Sequence, residues 1–300
     1  MTGNRLYIWH RMNLYKVRKS TLAKLARSSP LWALAALVLL PLAMTLGASL
    51  MGASELTEHI GPVFKTGTGQ ARMPFLPALP TTEQYLKLLL DNAKFLTMFW
   101  NSMRLVLPLV IGQLLVGAMA AWGFAHFHFP GRDALFMGYV ALMMMPFQVM
   151  LAPTFLVLDN LKLVDTPWAI VLPGMFGTFA VFLLRQFFRS IPAALTESAR
   201  IDGAGEFRIF TSIALPLGAP GIASLFILSF LDNWNLIEQP MAFLRTESLQ
   251  PLSLYLRRIG DTNVDVAMAA SILTLLPTLL LFLYCESYLV EGIQLSGIKE

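Results

Sequence analysis

Residues 194–216 read ALTESARIDGAGEFRIFTSIALP, which sets Glu197, Arg200, Asp202, Glu206 and Arg208 between two hydrophobic blocks. Carboxylates and guanidiniums at this density make charge-assisted hydrogen bonds with a partner or with one another. The Gly203-Ala204-Gly205 run is no phosphate cradle, because no strand precedes it and no Lys-Ser/Thr pair follows it. A second polar stretch, LDNWNLIEQP, carries Asp232, Asn233, Trp234, Asn235 and Glu238 at the end of another hydrophobic block, and Gln148 stands inside a third. Carboxylates and amides hydrogen-bond hydroxyls, and an indole face stacks on an apolar ring face. These residues therefore have the chemistry to pass a hydroxyl-rich solute. Trp234 serves equally well as an interface anchor, and the amides as ties between helices, so the residues alone leave both readings open. Asp232 and Asn235 are three apart and share a helix face. That face is expected to line a pathway, with Trp234 turned toward a partner subunit. His126 and His128 have no third ligand nearby and read as interfacial, not metal-binding. Cys285 is the only cysteine and forms no internal disulfide.

The elements that must hold these residues belong to a membrane. Of the 300 residues 56% are hydrophobic and 13% charged, whereas soluble domains carry about 25% charge. A spanning helix needs about 20 apolar residues. Segments 31–51, 101–124, 134–158, 166–187, 218–236 and 266–289 meet that length. The fold class is thus all-α, a polytopic membrane protein with six transmembrane helices. Pro41, Pro108, Pro146, Pro153, Pro173 and Pro277 fall inside these spans, where neighbouring helices can satisfy the freed carbonyls. Nucleic acid is excluded as a partner, since no basic face exists outside the N-terminal tail.

Orientation follows from the basic residues. Arg5, Arg11, Lys16, Arg18, Lys19, Lys24 and Arg27 precede the first span without an acid among them. Residues 1–30 are therefore expected to form a cytoplasmic tail, and 31–300 the membrane domain. No cleavage site follows the first span, so it reads as an anchor and not a signal peptide. Six spans return the C-terminus to the cytoplasm. Residues 52–100, the turn holding Asp159, Asn160 and Asp165, and the loop from about 239 to 265 then lie outside. In the first of these, Thr82 is placed to cap a helix running from Glu83 toward Phe95.

The charged stretch then lies inside, as a loop of residues 188–217. Pro192 to Asp202 suits a short helix, Gly203 ends it in the left-handed conformation, and Ala204 to Leu215 suits a second. Two readings stand on the residues alone: an amphipathic loop on the membrane surface, or a compact knob that docks a soluble partner.

This segment resembles the Glu-Ala-Ala loop of the membrane subunits of bacterial ABC importers. That pattern is Glu-Ala-Ala, then Asp-Gly-Ala, then Ile-x-Leu-Pro. Here it reads Glu197, Ser198, Ala199; Asp202, Gly203, Ala204; and Ile213, Ala214, Leu215, Pro216, with Ser198 the one departure. FLLRQFFRSIPAALTESARIDGAG, PTTEQYLKLL with the NSM after it, MMMPFQVMLAPTFLVLDNLKLVDTPWAIVLP, SFLDNWNLIEQPMAFL with QPLSLYL, and the C-terminal EGIQLSGIKE are similar to the carbohydrate-uptake, maltose-type branch. The resemblance spans about residues 73–300.

The resemblance implies that Glu197, Ser198, Ala199, Asp202, Gly203 and Ala204 form a coupling helix and turn that seat in a groove of an ATPase. It implies a permease subunit that imports a sugar or oligosaccharide across the inner membrane. Its partners would be a second permease, two ATPase subunits and an extracytoplasmic solute-binding protein, all within the lipid bilayer's reach. No cofactor is expected in this chain, which has no Walker motif; ATP-Mg would sit on the ATPase partners. A polyol or phosphorylated polyol would suit the same architecture. A cation-driven secondary transporter would favour inverted repeats and broken helices at the midplane, neither of which is visible. A membrane-embedded enzyme would need a convergent His, Cys or carboxylate cluster, and none is present.

Overall fold

The computed structural model describes residues 29–66, 76–91 and 93–297. The basic tail, Arg72 and the last three residues lie outside the described residues. All regular structure among the described residues is helical. The chain divides into two compact units, residues 1–82 and 83–300.

In the first unit, α1 (Ser29–Ser49) is an apolar helix of 21 residues, two residues earlier than the expected span 31–51. It ends in tight turns, with Leu50 N–H donating to the Gly47 carbonyl and Met51 N–H to that of Ala48. α2 (Ala53–Thr66) follows. Glu55 in its first turn accepts from the Ala78 N–H at 2.8 Å, and Thr81 N–H donates to the Leu50 carbonyl at 2.9 Å. These two bonds draw the proline-rich segment 76–82 back onto the α1–α2 junction.

The second unit opens with α3 (Glu83–Leu86), which widens into a π-helical turn at Lys87–Asp91. α4 (Ala93–His126) then runs for 34 residues, about 51 Å at the helical rise. It starts eight residues before the expected 101, because no breaker stands between 93 and 101 and Pro108 is carried inside the helix. Two close approaches define its packing. A Cβ on Gly117 would stand 2.8 Å from the Ala180 Cβ, and one on Gly112 would meet the Met175 side chain. Small residues here let helices touch backbone to backbone.

The expected third span, 134–158, is not one helix. α5 (Arg132–Met143) and α6 (Phe147–Asn160) meet at 102°. Pro146 sits at φ −62°, ψ 136° before α6; its ring disfavours helix in the residue ahead of it and removes the donor that would have continued the ladder. The fourth span is also interrupted. α7 (Trp168–Met175) and α8 (Thr178–Arg189) flank an extended Gly177, yet together they form one apolar stretch of 22 residues.

Next come α9 (Ala193–Ile201), α10 (Glu206–Ile209), a π turn at Phe210–Ala214 and α11 (Leu215–Leu217). The chain bends by 73° into α12 (Ala219–Trp234). The expected external loop from 239 is folded as α13 (Glu238–Phe243), a 3-10 turn at Glu247–Leu249 and α14 (Leu252–Thr262). Leu252, Tyr255 and Ile259 are buried, while Arg257 and Arg258 stay exposed, the helical alternation of an amphipathic cap. α15 (Val264–Gly297) closes the described chain. Among the described residues, the helices long and apolar enough to cross a membrane number four, or up to six when each bent pair is one span.

α4 is the centre of the unit. α14 caps its first half: Asn101 donates to the Ser248 carbonyl at 2.6 Å and to that of Gln250 at 3.1 Å, and Ser102 accepts from the Leu252 N–H at 2.8 Å. Asp165, in the turn that closes α6, accepts from the N–H groups of Arg245 and Thr246, both at 2.8 Å. The loop and the cap are thereby one folded layer. At the other end of α4, Ala121 and Trp122 join Leu184, Phe188, Ile209, Phe210 and Leu225 in a buried cluster under the 190–217 segment.

Candidate functional site

The turn between α9 and α10 is built by backbone hydrogen bonds that need particular residues. Ala204 N–H donates to the Ala199 carbonyl at 2.9 Å, and Gly203 N–H to the Arg200 carbonyl at 3.0 Å. This pair of bonds is a Schellman motif, with Gly203 as its left-handed residue. Gly203 takes φ +82°, as its residue type predicts. Ala199 and Ala204 occupy the two positions that normally touch across such a motif, and both are half-buried against the cluster beneath. Small side chains at these positions keep the turn close to α4 and α8.

Across the turn, Arg200 grips Glu206 through two bonds, Nε to Oε1 at 2.6 Å and Nη2 to Oε2 at 3.3 Å. The bidentate bond to Glu206 raises the Arg200 guanidinium further above its ordinary value. The Ser198 hydroxyl donates to the Leu195 carbonyl within its own helix at 3.1 Å, so its polarity is spent locally and it acts as a small residue. Glu197 and Asp202 are exposed and make no side-chain hydrogen bond among the described residues. Two apolar side chains project beside them: Ile201 is 86% exposed and Phe207 76%.

The underside of the loop is fastened. Thr196 is buried and donates to the Ala193 carbonyl at 2.9 Å. His126, the last residue of α4, lies 3.0 Å through Nε2 from the Phe188 carbonyl. A carbonyl only accepts, so Nε2 carries the proton. The imidazole also lies 3.9 Å from the Trp122 ring centre, and Trp122 meets Phe188 and Phe210 in aromatic contacts. His126 thus ties the ends of α4 and α8 together. His128 has no such role among the described residues. No group of three or more His, Cys, Asp or Glu side chains among the described residues could hold a metal ion.

The second polar stretch divides among several places. Trp234 is 3% exposed, stacks on Phe230 at 5.4 Å, and donates through Nε1 to the Thr274 carbonyl at 3.2 Å. It belongs to this chain's own core, not to a face for a partner, because Phe230 one turn earlier leads the same helix face inward. Asp232 and Asn233 line a cavity of about 570 Å³ together with Gln113, Gly177, Phe179 and Ser229. Asn235 is not among its lining residues: α12 ends at Trp234, and Asn235 caps it at φ −94°, ψ 10°, bonding back to the Leu231 carbonyl. Asp232 and Asn235 are both exposed, and of the two only Asp232 lines this cavity. Gln148 of α6 and Glu238 of α13 are brought together, the amide Nε2 lying 2.9 Å and 3.0 Å from the two carboxylate oxygens.

Two polar residues inside spans escaped the sequence reading. Gln113 donates to the Gly174 carbonyl at 2.9 Å, beside the bond that carbonyl accepts from the Gly177 N–H at 3.2 Å, and its Oε1 is buried without a hydrogen bond among the described residues. Arg185 is 7% exposed in α8. The usable signal was the same for both, a single strongly polar residue in an otherwise apolar segment.

Comparison with known proteins agrees with this architecture. Residues 113–292 match the family described as binding-protein-dependent transport system inner membrane component. The chain is 31% identical over 228 residues to the arabinooligosaccharides transport system permease protein AraQ of Halalkalibacterium halodurans, covering 75% of this chain and 82% of that protein. It is 33% identical over 208 residues to the sn-glycerol-3-phosphate transport system permease protein UgpE of Yersinia enterocolitica, covering 68% and 74%. A solved bacterial ABC transporter involved in import of the acidic polysaccharide alginate shares the fold, with a TM-score of 0.76 at 23% identity, over 90% of this chain and 98% of that one. The chain therefore belongs to the binding-protein-dependent transport system inner membrane components, as a permease subunit of an ABC transporter and not an enzyme.

Proposed function

We propose that the chain is one of two permease subunits of an importer for neutral carbohydrate, with six spans and both termini in the cytoplasm. The basic tail supports that orientation. In this reading each bent pair counts as one span, and the loop of residues 188–217 faces two ATPase subunits that carry ATP-Mg. Glu197, Ser198, Ala199, Asp202, Gly203 and Ala204 form the coupling element. The observation that carries the proposal is the two-sided character of that loop. One side is packed on α4 and α8 through Ala199, Ala204 and the Phe188–Phe210 cluster, and the other presents Glu197, Asp202, Ile201 and Phe207. A partner moving against the exposed side displaces α8 and α4 as rigid bodies, which is how nucleotide-driven closure reaches the membrane helices.

Solute then passes along Asp232 and Asn233, with Gln113 beside them, and past Asn235, Gln148 and Glu238 near the outer end. The carbohydrate reading draws on the arabinooligosaccharide relative. The glycerol-phosphate relative favours a phosphorylated polyol as the second reading. The lining of the Asp232 cavity supports the first: among the described residues it includes a carboxylate, the Asn233 amide and the Ser229 hydroxyl, and no cation. Acceptors suit a ligand rich in hydroxyl donors, and a carboxylate opposes a phosphate. An extracytoplasmic binding protein delivers the solute.

The experiment is ATP-driven uptake by the complete transporter in proteoliposomes, with arabinotriose and glycerol 3-phosphate as probes. Preferred uptake of arabinotriose is expected, and preferred uptake of glycerol 3-phosphate selects the second reading. Glu197→Lys, which reverses charge on the docking side, is expected to lose the ATPase subunits on purification. An intact, fully active Glu197→Lys and Gly203→Val pair refutes the coupling assignment. Normal uptake by both Asp232→Ala and Asn235→Ala moves the solute contacts to the other permease.

A further inference from the structure

We propose that Arg132, Arg185 and Arg189 hold the phosphate of an anionic phospholipid headgroup, at the membrane boundary where α8 runs into the 190–217 segment. Arg189 is the last residue of α8, and Arg185 stands one turn before it, about 6 Å deeper along the helix. An arginine at that depth is costly unless its N–H groups find acceptors. Nε donates to the Phe124 carbonyl at 3.3 Å, and the guanidinium lies 3.7 Å over the Phe136 ring. Its Nη2 is 3.9 Å from Asp133 Oδ1, too far for a hydrogen bond. The terminal nitrogens of this buried arginine therefore keep donors that no side chain or carbonyl among the described residues accepts.

The surrounding charge is unbalanced in the same direction. Arg132 binds Asp133 through Nε at 3.0 Å and the Phe127 carbonyl through Nη1 at 3.4 Å. Arg189 follows Arg185 by four residues, so it shares that face of α8; it is exposed and makes no ion pair among the described residues. The charges of Arg185 and Arg189 both reach Asp133. Three guanidiniums thus meet one carboxylate. Arginine forks match the oxygens of a phosphate, whether it belongs to a lipid or is free in solution. The depth favours the lipid, and so do the neighbours: Phe127, Phe129 and Leu135 are exposed around Arg132 in the chain and offer an apolar wall to an acyl chain. Basic pockets of this kind between membrane helices bind anionic headgroups. A zwitterionic headgroup brings its own cation and gains less.

The test uses the complete transporter, purified with its partner subunits, stripped of lipid and titrated with phosphatidylglycerol or phosphatidylcholine under native mass spectrometry. Wild type is expected to retain phosphatidylglycerol in preference to phosphatidylcholine. Arg132→Gln and Arg189→Gln should each weaken that retention about fivefold, the effect of removing one basic residue from an anionic surface. Arg189 is exposed, so its variant tests the site without disturbing the core, as Arg185→Gln would. Equal retention of the two lipids, or unchanged retention in Arg189→Gln, overturns the proposal. Displacement of phosphatidylglycerol by millimolar inorganic phosphate also overturns it, by assigning the arginines to a soluble oxyanion.

Discussion

The turn at Gly203 offers the most direct test of the docking loop. A Cβ placed on Gly203 meets nothing within 4 Å, while the backbone sits at φ +82°. The energetic effect of a side chain here is therefore conformational and not steric. A left-handed residue other than Gly costs about 1–2 kcal/mol, which lowers the population of the turned loop about 5- to 30-fold. Asn tolerates this region and should cost least, Ala should take the full amount, and Val, being β-branched, should cost more still. The two Schellman bonds to Ala199 and Arg200 would open in the same order. Gly203→Asn, Gly203→Ala and Gly203→Val can be compared by the amount of ATPase subunit that co-purifies and by the rate of solute-stimulated ATP hydrolysis. Both should fall from Asn to Ala to Val. Wild-type association in Gly203→Val would refute the argument. Equal loss in all three variants would also refute it, because a partner pressing on the position would then exclude any side chain regardless of φ.

Other outcomes follow from the same packing. Trp234→Ala empties a core position and should destabilise the chain by about 3–5 kcal/mol, read as a lower melting temperature of the purified chain in detergent; an unchanged melting point would return Trp234 to a surface role. Asn101→Ala strands the carbonyls of Ser248 and Gln250 and should cost about 1–3 kcal/mol, with faster proteolysis within residues 244–252 as the measurement. Hydrogen bonds from Thr246, with the Arg245 N–H and charge adding to them, hold the Asp165 carboxyl below its ordinary value. Its contribution is present above the usual carboxylate pKa of about 3.9 and is lost as pH falls through the lower folded value, so acid should loosen the 244–246 segment in wild type and not in Asp165→Asn, as hydrogen exchange would report. In a Cys285→Ser background, cysteine at position 58 should react with an impermeant thiol reagent outside intact cells and cysteine at position 19 should not; the opposite pattern inverts the proposed topology.

Much of the second unit was legible because it rests on local chemistry. The helix–Gly203–helix arrangement of residues 193–217 follows from what Gly, Pro and apolar periodicity do to their own backbone, and the apolar blocks follow from length and composition. Their ends and breaks did not. Of the prolines in the expected spans, Pro41, Pro108, Pro153, Pro173 and Pro277 are carried inside helices, while Pro146 marks a 102° bend. A helix keeps or loses a proline according to whether neighbours satisfy the freed carbonyl, and that is a property of packing. The polar residues behaved in the same way. Asp232, Trp234 and Asn235 carry polar groups within one turn of each other in sequence, yet one lines a cavity, one fills the core and one caps the helix. Gln148 met Glu238 across 90 residues, and Gln113 found the carbonyl of Gly174 across 61. Residue type determined what each group could bond. Only the tertiary structure, by deciding which helix faces meet and where a helix stops, determined what each one does bond.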